Sequence, residues 1–367
     1  MRRLDNFRVL AVDRRRQPLP GLQRYAPGQM RWFGSGREAL LALLMGHPFK
    51  RRTVLLPAMV PEGVYFPFQR QNWRIVYYDL DEYGNPDFEG VAERATAFAP
   101  DMAVIIHLFG IVRDTARLKS LLPEDCCLVE DFAHSTFCDW LAGYQSPADL
   151  CLFSPPKLLG VTDGCLIIAL RSDLVFFPPR PWSWLRSRHL FARLASLALG
   201  AASQYLGKWD SLDVLARSAT WFYNRSYRLL MRYCIHPHTF SRVGRWLLSH
   251  TDHQRVAEQR MRQVELYHQL LQNPLLKPIH SVDLGCIPLI GFPVVTPHRR
   301  ELAAYLQQWG IRGAAYTDRW WFLPDEQREN YPHAWYLLQT HYVLPVNQKL
   351  SLSDIQLVIK RVNEFVV

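Results

Sequence analysis

Between Arg51 and Leu170, short apolar runs rich in β-branched and aromatic residues alternate with stretches of helical length, and this alternation restricts the fold more than any other feature. The runs are RRTVLLPAM, RIVYYDLDEYGNPDFEG, MAVIIHLFG, CCLVEDFAHS, DLCLFS and CLIIAL, with helical segments such as TARLKSLL between them. A strand that is apolar along its whole length is buried on both faces. Strand and helix in turn therefore predict an α/β fold whose sheet is mostly parallel and covered by helices.

In sheets of this kind, ligands collect at the carboxyl ends of the strands. His107, Asp131 and Lys157 each directly follow an apolar run, so the reading places three titratable groups at equivalent strand ends. Leu152, Phe153, Leu158 and Leu159 surround Lys157 in the sequence, and burial disfavours an ammonium, which leaves a more nucleophilic amine. A Schiff-base lysine requires such an amine. The plainer meanings are a lysine that extends its amine to water, an Asp131 that caps the next helix and a hydrogen-bonded core His107.

Earlier in the chain, RWFGSGREALLALLMG reads as a turn, Gly34-Ser35-Gly36, that opens a helix burying Leu40, Leu41, Leu43 and Leu44. A helix start of small residues leaves backbone N–H groups at the positive end of the dipole, where a phosphate binds, and Arg37 adds a charged donor. The plainer meaning is that Ser35 is an N-cap alone.

After Pro178 the character changes. Segment 182–233 is helical in pattern and interleaves arginines with Trp, Phe, Tyr and Leu, which predicts a helical hairpin packed on the sheet or on a second subunit. Leu190 to Leu206 is apolar, but Arg193 and the Ser/Gln positions argue against a spanning helix and leave an interfacial one open. HTDHQRVAEQRMRQVELYHQLLQN is expected to be a connector helix with an apolar stripe through Val256, Val264, Leu266 and Leu270. Beyond Pro274, short strands (CIPLIGFPVV, YVLPV) mix with helices, the last of them starting at Ser353-Asp354, which suggests a smaller α+β domain. The expected division is an N-terminal arm over 1–30, a large α/β domain over 31–255 with the 182–233 insert, and the connector and small domain over 256–367.

The net charge of +10 is concentrated: residues 180–262 hold fourteen Lys/Arg against four Asp/Glu. Such a segment suits an anionic membrane surface or a phosphorylated substrate, whereas no helix-turn-helix, RNP-type or zinc-finger pattern points to nucleic acid. The seven cysteines are odd in number and lack metal-ligand spacing with histidine, which reads as reduced thiols. The start of the chain has arginines but no apolar stretch of signal-peptide length, so the expected location is cytoplasmic.

Taken together, SGREAL, LLPAMV, IIHLFG, VEDFAHS, SPPKLLGVTDGCLII and HYVLPVNQKLSLSDIQLVIKRV stand in the order seen in the DegT/StrS-type sugar aminotransferases. The chain resembles that family of fold-type I pyridoxal phosphate enzymes from about Gly34 to its end, apart from the helical segment near 180–235. The resemblance implies pyridoxal 5'-phosphate as cofactor, with Lys157 as the Schiff-base residue and proton shuttle. It implies Asp131 as the partner of the pyridinium nitrogen, with a carboxyl held at or below its ordinary range by the cation it faces. Ser35, Gly36, Arg37 and Ser154 are implied to hold the phosphate and His134 to sit near the ring, while His107 is expected near the site and mainly architectural. An amino acid donor, a keto sugar (a nucleotide-linked one suits the basic segment) and a homodimer follow from the same likeness, with Arg242 and Asn224 as candidates to reach a neighbouring subunit's site.

Departures from the family are local. Val60-Pro61-Glu62 stands where the family stacks an aromatic on the ring, and Tyr65 is the nearest aromatic. Arg37 replaces a threonine, Ser154-Pro155-Pro156-Lys157 alters the serine-to-lysine spacing, and Cys165 replaces a glycine. A second reading is therefore an inactive relative that serves as an interaction or assembly module in polysaccharide synthesis. A third, sugar dehydration on the same cofactor, needs histidine in place of Lys157.

Overall fold

Strands β1 (Met30–Phe33), β2 (Thr53–Pro57), β3 (Arg74–Tyr78), β4 (Met102–Ile106), β5 (Cys127–Asp131), β6 (Leu150–Phe153) and β7 (Cys165–Ala169) form one seven-stranded sheet. Its order is β1-β7-β6-β5-β4-β2-β3. The five strands from β2 to β6 are parallel, whereas β7 runs antiparallel to β6, and β1 to β7. Every residue of β2, β4, β5, β6 and β7 is buried, as the uninterrupted apolar runs require, while the edge strand β3 is partly exposed. The mostly parallel α/β sheet expected from the alternation is therefore present. The computed structural model describes residues 4–5, 16–138, 143–181, 184–206, 214–233, 235–279, 287–317 and 319–367.

Register brings the strand ends together. Ile106 lies beside Asp131, and Asp131 beside Leu152, so His107, Asp131 and Ser154 leave the sheet at one level. Helices α1 (Gly36–Gly46), α2 (Glu62–Arg70), α3 (Phe88–Phe98) and α4 (Thr115–Ser120) connect the strands. All four leucines expected to be buried on α1 are buried.

The basic segment forms helices α5 (Trp184–Leu206) and α6 (Val214–Tyr233), packed as an antiparallel pair. Ser196 Oγ donates to the Ala219 carbonyl, and His189 Nδ1 meets the Ser226 carbonyl, both at 2.8 Å, so position rises along one helix as it falls along the other. Among the described residues, no helix is long and apolar enough to cross a membrane.

After α7 (Arg242–Ser249) comes α8 (His253–Leu270), the helix expected to be a connector, and its buried stripe differs from expectation. Val256 and Val264 are buried, Leu266 is half-buried, and Leu270 is exposed. Polar residues occupy the rest of the inner face because they bond backbone carbonyls that the core would otherwise strand. Arg260 Nη1 donates to the carbonyls of Leu289 at 2.8 Å and Val346 at 3.0 Å, Gln263 Nε2 to Asn347 at 2.9 Å, and Tyr267 OH to Pro345 at 3.0 Å.

The C-terminal part pairs β8 (Phe292–Val295) antiparallel with β9 (His341–Leu344) and with Lys277–Pro278, alongside α9 (Arg299–Gln308), α10 (Pro332–Thr340) and α11 (Leu352–Asn363). Helix α11 is capped by Ser351 rather than begun at Ser353. Ser351 Oγ accepts from the Asp354 N–H at 3.1 Å, and Asp354 Oδ2 accepts from the Ser351 N–H at 2.9 Å, a reciprocal cap.

Candidate active site

Asp131 is the last residue of β5 and is 3% exposed. Its Oδ1 accepts from the Ala133 N–H at 2.8 Å, so it closes a turn after the strand and does not cap a helix. Lys157 ends the short turn Pro155–Lys157 that follows β6, and its N–H donates to the Ser154 carbonyl at 3.0 Å. The two prolines preset φ in this turn, and Leu158 and Leu159 behind it are fully buried, which fixes where the lysine leaves the backbone. Burial pushes the Asp131 carboxyl up, and the Lys157 charge and the Ala133 N–H oppose this without offsetting it. Without a cofactor the carboxyl thus lies above its ordinary range, and it gains from any further cation brought into the cavity.

Around Asp131 the walls are flat. His134 is 4% exposed and its Nδ1 accepts from the Phe109 N–H at 3.1 Å, which puts the neutral ring's proton on Nε2. The ring stacks on Trp320, with centroids 5.4 Å apart, and on Tyr316 at 5.9 Å. Tyr316 is held from behind, because its N–H donates to His341 Nε2 at 2.8 Å, and burial drops the His341 pKa to about 4, keeping that ring neutral. Tyr65, the aromatic nearest in sequence to the LPAM stretch, instead stacks on Phe322 at 4.1 Å, outside the cavity. The aromatic wall comes from the segment around Tyr316 and Trp320. This segment reaches the site by pairing with Val60 and Glu62, whose N–H groups donate to the carbonyls of Trp320 and Arg319 at 3.1 and 2.9 Å.

At the opposite end stands the start of α1. Ser35 is its N-cap, accepting from the Glu38 N–H at 3.4 Å and donating to Glu38 Oε2 at 2.8 Å. The Gly36 and Arg37 N–H groups belong to the first turn, which has no helical acceptors, so the cap and the anion-binding readings coexist. Arg37 Nη2 donates to Glu62 Oε1 at 3.1 Å and also bonds the Tyr227 hydroxyl. Its guanidinium lies 4.7 Å from the Tyr227 ring centre, and that of Arg319 lies 4.4 Å from it. Burial raises the Glu62 carboxyl, with Arg37 and Arg319 opposing.

Behind this end, Glu38 is fully buried yet ionised. Burial alone would raise it, but Arg186, His238 and Ser35 outweigh that and hold it below the ordinary glutamate range. Arg186 Nη2 meets Glu38 Oε2 at 2.8 Å, with a second bond through Nη1, and His238 Nδ1 donates to Oε1 at 2.9 Å. At Gly34 a Cβ would fall 1.7 Å from Arg186 Nη2, so a side chain there would displace that guanidinium. Gly164 has φ +117°, and a Cβ there would lie 2.5 Å from the Phe240 ring, so the residue before Cys165 has no alternative.

Ser35, Gly36, Arg37, Asp131, His134, Ser154 and Lys157 all line one cavity of about 470 Å³. This volume suits a small organic ligand. His107 stays out of it: fully buried, it pairs through Nε2 with Glu130 Oε1 at 2.8 Å and accepts the Arg113 N–H on Nδ1 at 3.1 Å, an architectural role as expected. Arg242 and Asn224 are exposed and do not line it. Not anticipated were Glu62, Asp163, Tyr316, Arg319 and Trp320, and the contribution of the hairpin: His189 and Arg193 from α5, and Tyr223, Ser226, Tyr227 and Leu230 from α6. Spacings of four, and of three, four and seven, mark these as single helical stripes, a signal present in the sequence.

No protein-family model matches the sequence, and no curated protein matches it either. Solved structures do match. The sugar aminotransferase CalS13 from Micromonospora echinospora aligns over 92% of this chain and 87% of its own, with a TM-score of 0.60 at 17% identity. A DegT DnrJ EryC1 StrS aminotransferase from Brucella abortus aligns over 91% and 85%, with a TM-score of 0.58 at 17% identity. The fold is that of the fold-type I sugar aminotransferases. Spr1654 from Streptococcus pneumoniae, solved in a PLP form, gives a TM-score of 0.62 over 91% of this chain and 86% of its own, at 14% identity. In this fold-type I chain, the cavity residues fit a phosphorylated, cationic aromatic cofactor on three counts. A helix start is available for the phosphate, flat rings for an aromatic face, and a buried carboxylate, raised by burial, for a positive charge.

Proposed function

We propose that this protein is a pyridoxal phosphate-dependent aminotransferase that passes an amino group from an amino acid donor to a keto sugar. Lys157, Asp131 and the start of α1 share one cavity, which supports this function. Bound pyridoxal phosphate supplies an electron sink for the carbon that gives up its proton. Ser35, Gly36, Arg37 and Ser154 hold its phosphate, and Asp131 holds the positive charge of its ring. His134 and Trp320 offer the stacking faces. The Lys157 amine carries the proton between carbon centres, and the hairpin residues Arg193, Tyr223 and Tyr227 cover the cavity and exclude water. A nucleotide-linked sugar suits the arginines at the wall, since guanidinium groups bind phosphate oxygens in pairs. A homodimer is part of the same reading.

Glutamate added without an acceptor to cofactor-loaded protein is expected to release about one equivalent of 2-oxoglutarate. Lys157→Ala should slow this step by at least about 10³-fold. Equal release by the variant, or none from loaded wild type with any amino acid donor, would contradict the reading. Dehydration is disfavoured by the lysine itself, which stands where that chemistry needs histidine.

A further inference from the structure

The hairpin presents two different faces. Inward, Arg186 and Arg193 are buried, the first against Glu38 and the second donating to the Pro156 carbonyl at 3.3 Å beside Lys157. Outward, α5 shows Arg188, Phe191 and Leu194, and α6 shows Trp221, Arg225 and Arg228, all exposed. Phe191 is 70% exposed and Trp221 55%, although aromatic rings of this size are normally the first to be covered. Both border one shallow groove together with Arg188 and Arg225.

Charge identifies what covers this face. Helices α5 and α6 contain seven arginines and no Asp or Glu, and the only acids of the segment, Asp210 and Asp213, lie in 207–213, outside the described residues. A second copy joined symmetrically through the same face would bring two clusters of arginines together with no acid on either helix to offset them, which is repulsive. An anionic lipid surface satisfies both halves of the pattern: headgroups pair with the guanidinium groups, and the exposed rings enter the boundary between headgroup and acyl chain. The hairpin then lies on the membrane without crossing it, consistent with helices too polar to span.

We propose that the outer face of the α5–α6 hairpin docks the protein on an anionic membrane surface, with Phe191 and Trp221 as apolar anchors and Arg188 and Arg225 as headgroup contacts. None of these four lines the catalytic cavity, so the proposal stands apart from the assigned reaction. Co-sedimentation of the full-length protein tests it, using phosphatidylglycerol/phosphatidylcholine vesicles beside phosphatidylcholine alone. Binding is expected only with the anionic lipid, and to weaken when salt is raised from about 0.1 M to about 0.5 M. Arg188→Gln/Arg225→Gln and Phe191→Ser/Trp221→Ser should each lower the vesicle partition coefficient by about tenfold or more, with thermal midpoint and sedimentation coefficient unchanged. Absence of binding, or equal binding to both lipids or by both variants, would overturn the proposal. So would conversion of a dimer to monomers by Phe191→Ser/Trp221→Ser, which would show that a second copy covers this face.

Discussion

Arg186→Met is expected to destabilise the protein by about 3 kcal/mol, near the lower end of what breaking a buried ion pair costs. The reason is Glu38, fully buried and kept ionised chiefly by Arg186. Without the guanidinium, His238 and Ser35 are left to oppose its burial. Glu38 is depressed in the folded state, so its contribution is fully present above the ordinary glutamate value of about 4.3 and is lost as pH falls through the depressed folded value. In the variant the carboxyl moves up instead, so the deficit in denaturant midpoint should be largest near neutrality and shrink in acid. Glu38→Gln added to Arg186→Met should recover part of the loss, because a neutral amide is cheaper to bury. A single variant as stable as wild type at neutral pH would show that the pair does not anchor the hairpin to α1.

Asp131→Asn is expected to lower amino transfer by about 10²–10³-fold, the range for removing one preorganised electrostatic contact. The amide keeps an oxygen for the Ala133 N–H, so the turn survives and only the charge goes. Stability should move the other way. Because burial raises the Asp131 carboxyl in the cofactor-free protein, ionising it weakens the fold, and that penalty grows as pH rises through the raised value. Cofactor-free Asp131→Asn should therefore match or exceed wild type in thermal midpoint above neutrality while failing in turnover. A variant that loses stability and activity together would place Asp131 in the architecture instead.

What the sequence made legible was governed by burial. Strands β2 and β4 to β7 are covered on both faces, so nothing interrupts their apolar runs, and the strand-end positions of His107, Asp131 and Lys157 followed directly. The start of α1 was legible as a helix start because small residues stand before a leucine-rich run, and Ser35 caps it. Elsewhere, hydrogen bonding overrode apolarity. Arg260 and Gln263 sit buried on α8 as donors to carbonyls of the C-terminal part, so the leucines outside that face misled. The stacking wall was missed because it comes from Tyr316 and Trp320, some 250 residues from the LPAM stretch they cover. The arginine-rich segment was read as a helical hairpin without a division of its faces, and helical phase separates an inner stripe at the cavity from an outer stripe in solvent.

The visible absorption spectrum decides whether Lys157 and its cavity bind pyridoxal phosphate for amino transfer. Purified protein incubated with the cofactor should show a visible band absent from Lys157→Ala, and glutamate should shift that band in the wild type. No visible band in either protein at saturating cofactor would contradict the account and leave the fold as a scaffold without this chemistry.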